Sequence, residues 1–200
     1  DVVDQHDQAD RAGAGFHASD DRRTVVSDCT IRANFADYTT RGGGVALTEE
    51  SDIRFVRCRF EDNHAESETG ALDMYNSTGV ALEACVFERN SARDYGAIRA
   101  GSSDLTLRQC RIANNEATYT GAGVSVSASR VRVIDCTVVV NRAGREGGGV
   151  FAAECDLVVM QSTIAGNAQA AGGLYDYWPN GGGGLTLLLN SRVLIGQSII

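Results

Sequence analysis

The sequence predicts an all-β chain wound as a parallel β-helix, a solenoid of about seven rungs with about 26 residues and three short strands in each. Three observations predict it. Cys29, Cys58, Cys85, Cys110 and Cys136 recur at spacings of 29, 27, 25 and 26 residues, and Ser162 and Ser198 extend the series. Five residues after six of these seven positions stands an asparagine: Asn34, Asn63, Asn90, Asn115, Asn141 and Asn167. Between these ladders, trios such as Val124-Ser125-Val126, Val131-Arg132-Val133 and Cys136-Thr137-Val138 alternate with strand periodicity. No helical stretch separates the trios, so a βαβ crossover has no place and a stack of rungs remains. With strands about 4.8 Å apart, seven rungs make a rod roughly 34 Å long.

Each rung opens on a small-residue pair leading into an apolar residue, as in Gly44-Val45, Ala71-Leu72, Ala97-Ile98, Gly123-Val124 and Gly149-Val150. Glycine there permits positive φ at a corner and close approach of neighbouring backbones. A serine series, Ser51, Ser77, Ser103, Ser129 and Ser191, precedes the second strand, with Cys155 in one of its places. The main cysteine ladder precedes the third. Cysteines one rung apart fall within disulfide range, yet side chains in register point the same way and five members cannot all pair. The burial habit of cysteine favours free thiols that fill space. The asparagines are expected to face inward at a turn, bonding backbone groups and the asparagine of the next rung. Two residues later Ala36, Ala65, Ala92, Ala117 and Ala143 fill a narrow corner.

Composition agrees. The 200 residues include 23 glycines and one proline, as expected where central strands donate hydrogen bonds on both sides. All 18 basic residues are arginine, against 26 acids, and the net charge of −8 argues against a nucleic-acid partner. A hydrophobic content of 43% argues against wholesale disorder, and no run of about 18 apolar residues is present to cross a membrane. We expect a single domain over residues 1–200, with a partial rung at 1–12, regular rungs over 13–200 and a long outward loop at 170–182. The chain opens on Asp1 without a leader pattern and stops inside a repeat, so we expect a mature product or a segment of a longer chain.

Two recurring motifs carry a family resemblance. FxxN occurs as Phe60-Glu61-Asp62-Asn63 and Phe87-Glu88-Arg89-Asn90, and a GGA[ILV]-like motif as Gly42-Gly43-Gly44-Val45, Tyr95-Gly96-Ala97-Ile98 and Gly147-Gly148-Gly149-Val150. This pairing resembles the repeats of polymorphic outer membrane proteins, within the pectate-lyase-like superfamily. The resemblance implies a right-handed β-helix, secreted or at a cell surface, with a structural or adhesive role.

Enzymes are also built on β-helices, and such chemistry needs carboxylates and basic residues on the outer face. The strand after the glycine pair presents His17, Ala46, Asp73, Arg99, Ser125, Phe151 and Thr186 as its outward column. Asp73 and Arg99 on adjacent rungs read as a surface ion pair. His6, His17 and His64 have no metal-ligand spacing, and no cofactor motif is present. The loop between the asparagine and the glycine pair varies in length and is expected to point outward. It carries Tyr38, Tyr95, Tyr119, Tyr175, Tyr177 and Trp178, which either bind a ligand or cover the glycine corner. Acids recur there too, among them Glu66, Glu68, Asp94 and Glu116, spaced as a solvated face rather than a Ca²⁺ cage. The expectation is therefore a non-catalytic extracellular rod, structural or adhesive, whose partners are further repeats or subunits stacked on its ends, or a surface glycan or protein. The alternatives are a polysaccharide lyase or hydrolase, and a glycan-binding module using the loop aromatics.

Overall fold

The structure is a computed structural model and describes residues 14–19, 23–49, 52–169 and 182–200. In every repeat the alternating apolar residues pair with their counterparts one turn on, giving a parallel β-solenoid with no helix among the described residues. The turn over residues 98–117 shows the plan, with strands Ile98–Gly101, Asp104–Arg108, Arg111–Ala113 and Glu116–Ala117. Four sheets run along the rod. The first and second contain seven strands and the third and fourth six, which makes six complete turns and the opening of a seventh.

The expected three strands per rung are present, and a fourth joins them. It is two residues long and in the first five turns ends on the alanine ladder, as in His64–Ala65 and Ser91–Ala92; in the sixth it is Ala168–Gln169. Two residues cannot show a period of two, so the sequence pattern hides this strand. Backbone pairing alone defines it.

Strict register builds the core. Phe16, Val45, Leu72, Ile98, Val124, Val150 and Leu185 form one inward column of the first sheet. Such columns from the first three sheets merge into one hydrophobic cluster. Inside it the rings of Phe60 and Phe87 stack at 4.3 Å, and Phe55 meets Phe60 edge-on at 5.6 Å.

The corners follow a rule that differs from the expected one. Three residues per turn adopt positive φ, each immediately before a ladder side chain: Ser102, Gln109 and Asn114 precede Ser103, Cys110 and Asn115. These residues are mostly not glycine. The strained backbone is held because the next side chain closes the bend with hydrogen bonds. In the glycine-rich segments only the leading residue of some, such as Gly121 and Gly147, has positive φ. Later members such as Gly96 and Gly123 are needed for space, because a Cβ there would run into the carbonyl oxygens of Ala122 and Gly149.

Hydrogen bonds join the ladders from turn to turn. Asn115 Nδ2 donates to Phe87 O at 3.1 Å and to Asn141 Oδ1 at 2.9 Å, while its Oδ1 accepts from Asn90 N at 2.9 Å and Asn90 Nδ2 at 3.0 Å. All six cysteines are free; Cys29 is exposed on the first turn and the others are buried. Cys110 donates its S–H to Leu82 O at 3.2 Å and Arg108 O at 3.3 Å. Ser162, further along the same ladder, donates to Val133 O and Met160 O in the same way. Cys155 takes a serine place in the other ladder, and its backbone N–H donates to Ser191 Oγ. Burial pushes the Cys58 and Cys155 thiols above their ordinary value, so these are inert, neutral groups.

One expectation about the outer face is corrected. The column of Ala46, Asp73, Ser125 and Thr186 is buried rather than open. The variable loops do not simply point outward. They stack in parallel through the bridges Gly42 to Thr69 to Tyr95 and Thr120 to Glu146, and so roof the first sheet. Asp73 and Arg99 do pair, at 3.0 Å, but beneath this roof rather than at the surface.

Candidate functional site

The fourth sheet sets out the candidate site. Its alanines point inward, so the preceding residues, Phe35, His64, Ser91, Glu116 and Arg142, form an outward column on consecutive turns. His64 Nδ1 lies 2.9 Å from Ser91 Oγ, and the Phe35 ring stacks on the imidazole at 5.5 Å. Loop residues following the strands rise beside this column and enclose a groove of about 590 Å³, lined by Tyr38, His64, Glu66, Ser91, Arg93, Glu116 and Tyr119 among others.

Two tyrosines wall the groove by different means. Tyr38 is 68% exposed. It follows Asp37, whose carboxylate accepts from Thr39 Oγ1 at 2.7 Å and Thr39 N at 2.9 Å and thereby fixes the turn. The same bonds hold the Asp37 carboxyl below its ordinary range. Tyr119 is half-buried, with the Arg93 guanidinium 5.2 Å and that of Arg145 4.4 Å from its ring centre. A hydrogen bond to Tyr119 also raises the Arg93 pKa.

Tyr95 belongs elsewhere. It lies beside Arg99, whose guanidinium is 5.4 Å from the ring centre, at the edge of the roofed ion cluster. There Arg99 meets Asp73 at 3.0 Å and Glu68 at 3.5 Å, and Arg41 reaches Glu68 at 3.9 Å while packing over Tyr75. Thr69 Oγ1 donates to Asp73 Oδ1 at 3.1 Å. Asp73 is fully buried, and its second oxygen has no hydrogen-bond partner in the cluster. Tyr175, Tyr177 and Trp178 lie outside the described residues.

A second groove, of about 660 Å³, follows the serine corner. Its charges alternate turn by turn as Asp104, Arg130, Asp156 and Arg192. Arg130 donates twice to Asp104, at 3.0 and 3.1 Å, and Arg192 stands 3.9 Å from Asp156. These charges neutralise one another along the rod. Among the described residues no three His, Cys, Asp or Glu side chains group as a metal site, and no helix is long and apolar enough to cross a membrane.

The structure thus places Tyr38 and Tyr119 on the walls of one groove and leaves Tyr95 outside it. His64, Ser91 and Arg93 are groove residues that the sequence reading passes over. A signal for two of them exists: the place before each alanine of that ladder is an outward position of a strand.

The stacked parallel sheets, internal ladders and looped outer face define the class: a β-solenoid whose repeating turn is its structural unit. A family model described as "right handed beta helix region" matches residues 8–195. The chain belongs to this right-handed β-helix family. It is also similar to the metabotropic glutamate receptor-like protein R of Dictyostelium discoideum, 24% identical over 153 residues, which cover 76% of this chain and 9% of that protein. The chain therefore spans a small part of that relative's length. No solved structure matches it.

Proposed function

We propose that the chain is a non-catalytic structural or adhesive rod that acts outside the cell or at its surface. The observation that carries this reading is the unbroken register of the turns: core columns and ladders repeat in every one, so the fold extends by addition. The FxxN-like segments fall at the asparagine corner and the glycine-rich segments at the start of the first sheet, and their pairing along the sequence resembles that of polymorphic outer membrane protein repeats. The last described turn exposes Leu187, Leu194, Ile195 and Ile199, an apolar end suited to a further turn or subunit. The lyase or hydrolase reading is weaker, because Asp73 and Arg99 are engaged with each other under the roof.

Sedimentation of the purified chain tests stacking. Concentration-dependent association that is lost in a Leu194→Glu, Ile199→Glu double variant is the expected result; a monomer at all concentrations overturns the stacking. For location, an epitope-tagged chain in its own organism should be cleaved by protease added to intact cells. Full protection overturns the surface role.

A further inference from the structure

We propose that the groove over the fourth sheet binds a polysaccharide chain of uncharged or amino-bearing hexose units, running along the rod axis. This deepens the adhesive reading above and rests on it. Tyr38 and Tyr119 lie on loops three turns apart, which places them roughly 14 Å from each other along the axis. That length and the groove volume of about 590 Å³ accommodate a few pyranose rings. The exposed Tyr38 ring offers a flat apolar face for the C–H side of a sugar. Between the tyrosines the floor holds His64, Ser91 and Glu116, a sequence of donors and acceptors at one-turn intervals that matches hydroxyls repeating along a polymer.

Charge selects among sugars. Glu66 and Glu116 line the groove with a single guanidinium, that of Arg93, which lies over the Tyr119 ring, so the acids outnumber the base. A polyuronate would bring its carboxylates against these two acids and against a net charge of −8. Neutral or amino-bearing units meet no such repulsion. A peptide ligand fits less well. The strands under the groove are paired on both sides and offer no edge for strand addition.

The test is calorimetric titration of the 200-residue chain with chitohexaose, a chitosan hexamer and oligogalacturonate. Binding of at least one of the first two is expected, with oligogalacturonate about tenfold weaker or more. Tyr38→Ala, at an exposed position that leaves the far-UV spectrum unchanged, should weaken binding by about tenfold. Glu116→Gln should narrow the gap to oligogalacturonate. Absence of binding to both sugars, equal or tighter binding of oligogalacturonate, or full affinity in Tyr38→Ala overturns the proposal. A chain that self-associates and is cleaved at the cell surface but binds no sugar refutes the groove and leaves the rod. Sugar binding by a chain protected inside the cell refutes the surface role and leaves the groove.

Discussion

A buried amide that uses every donor and acceptor is hard to replace. The Asn115 side chain makes four bonds to three residues, so Asn115→Ala leaves Asn90 and Phe87 with unmet groups and Asn141 Oδ1 with only its bond from the residue-115 backbone N–H. It should cost about 3 kcal/mol, measured by urea unfolding. The thiol ladder behaves differently. Ser162 makes the bonds that Cys110 makes, so Cys136→Ser, next to Ser162, should change stability by less than about 1 kcal/mol, whereas Cys136→Val should cost more by losing the bond to Ile134 O. The raised Cys58 and Cys155 pKa values have a signed consequence. A thiol that resists ionisation when folded contributes fully below its unfolded pKa. Above the ordinary value of 9.0 the unfolded chain releases protons at these two positions that the folded chain keeps, so their contribution to thermal stability falls as pH rises past that point. A melting temperature still rising above pH 9.0 contradicts this. At this scale most of the molecule is legible in the sequence, because an inward place sees the same surroundings in every turn and so keeps its residue. Tyr38 and Tyr119 are legible as loop aromatics, but the 2.9 Å contact of His64 with Ser91 is not, because outward places keep no common residue.

Elements are legible where side chains, rather than backbone, define them. The first three strands of each turn announce themselves through Val124, Val126, Val131, Val133 and Val138. The fourth, such as Glu116–Ala117, does not, and with it goes the floor of the groove. The roof is equally hidden, because loop lengths vary while the bridges joining the loops use backbone groups. Two glycine substitutions separate space from conformation. Gly123→Ala forces a methyl against Gly149 O and should cost about 2 kcal/mol. Gly166 has positive φ, but the equivalent corner places hold Asn114 and Val140, and only Val140 lies near its missing Cβ. Gly166→Asn should therefore be neutral or stabilising by a few tenths of a kcal/mol. Equal destabilisation by both changes would disprove the corner rule.

Over the whole molecule, one cluster of inward side chains links the turns, and each turn touches only its neighbours. Leu107→Ala in the middle should cost about 3 kcal/mol. The same truncation at Leu185, half-buried on the last described turn, should cost clearly less. Hydrogen exchange should show protection greatest over residues 80–160 and declining towards both ends of the described rod. Uniform protection along the rod would contradict nearest-neighbour coupling.

The asparagine ladder gives the rod an electrical direction. From Asn34 to Asn141 each side-chain amide donates one N–H forward to the Oδ1 of the asparagine one turn on, so every accepting carbonyl from Asn63 to Asn167 faces back. The aligned dipoles add as they do along a helix, negative towards the Asn34 end and positive towards the Asn167 end. Two rods meeting end to end can continue the column only head to tail, because either symmetric pairing opposes like ends. Head-to-tail contacts do not close on themselves when the stacking is coaxial. If rods stack coaxially as proposed, the assemblies are one-way filaments with growth at two unlike tips.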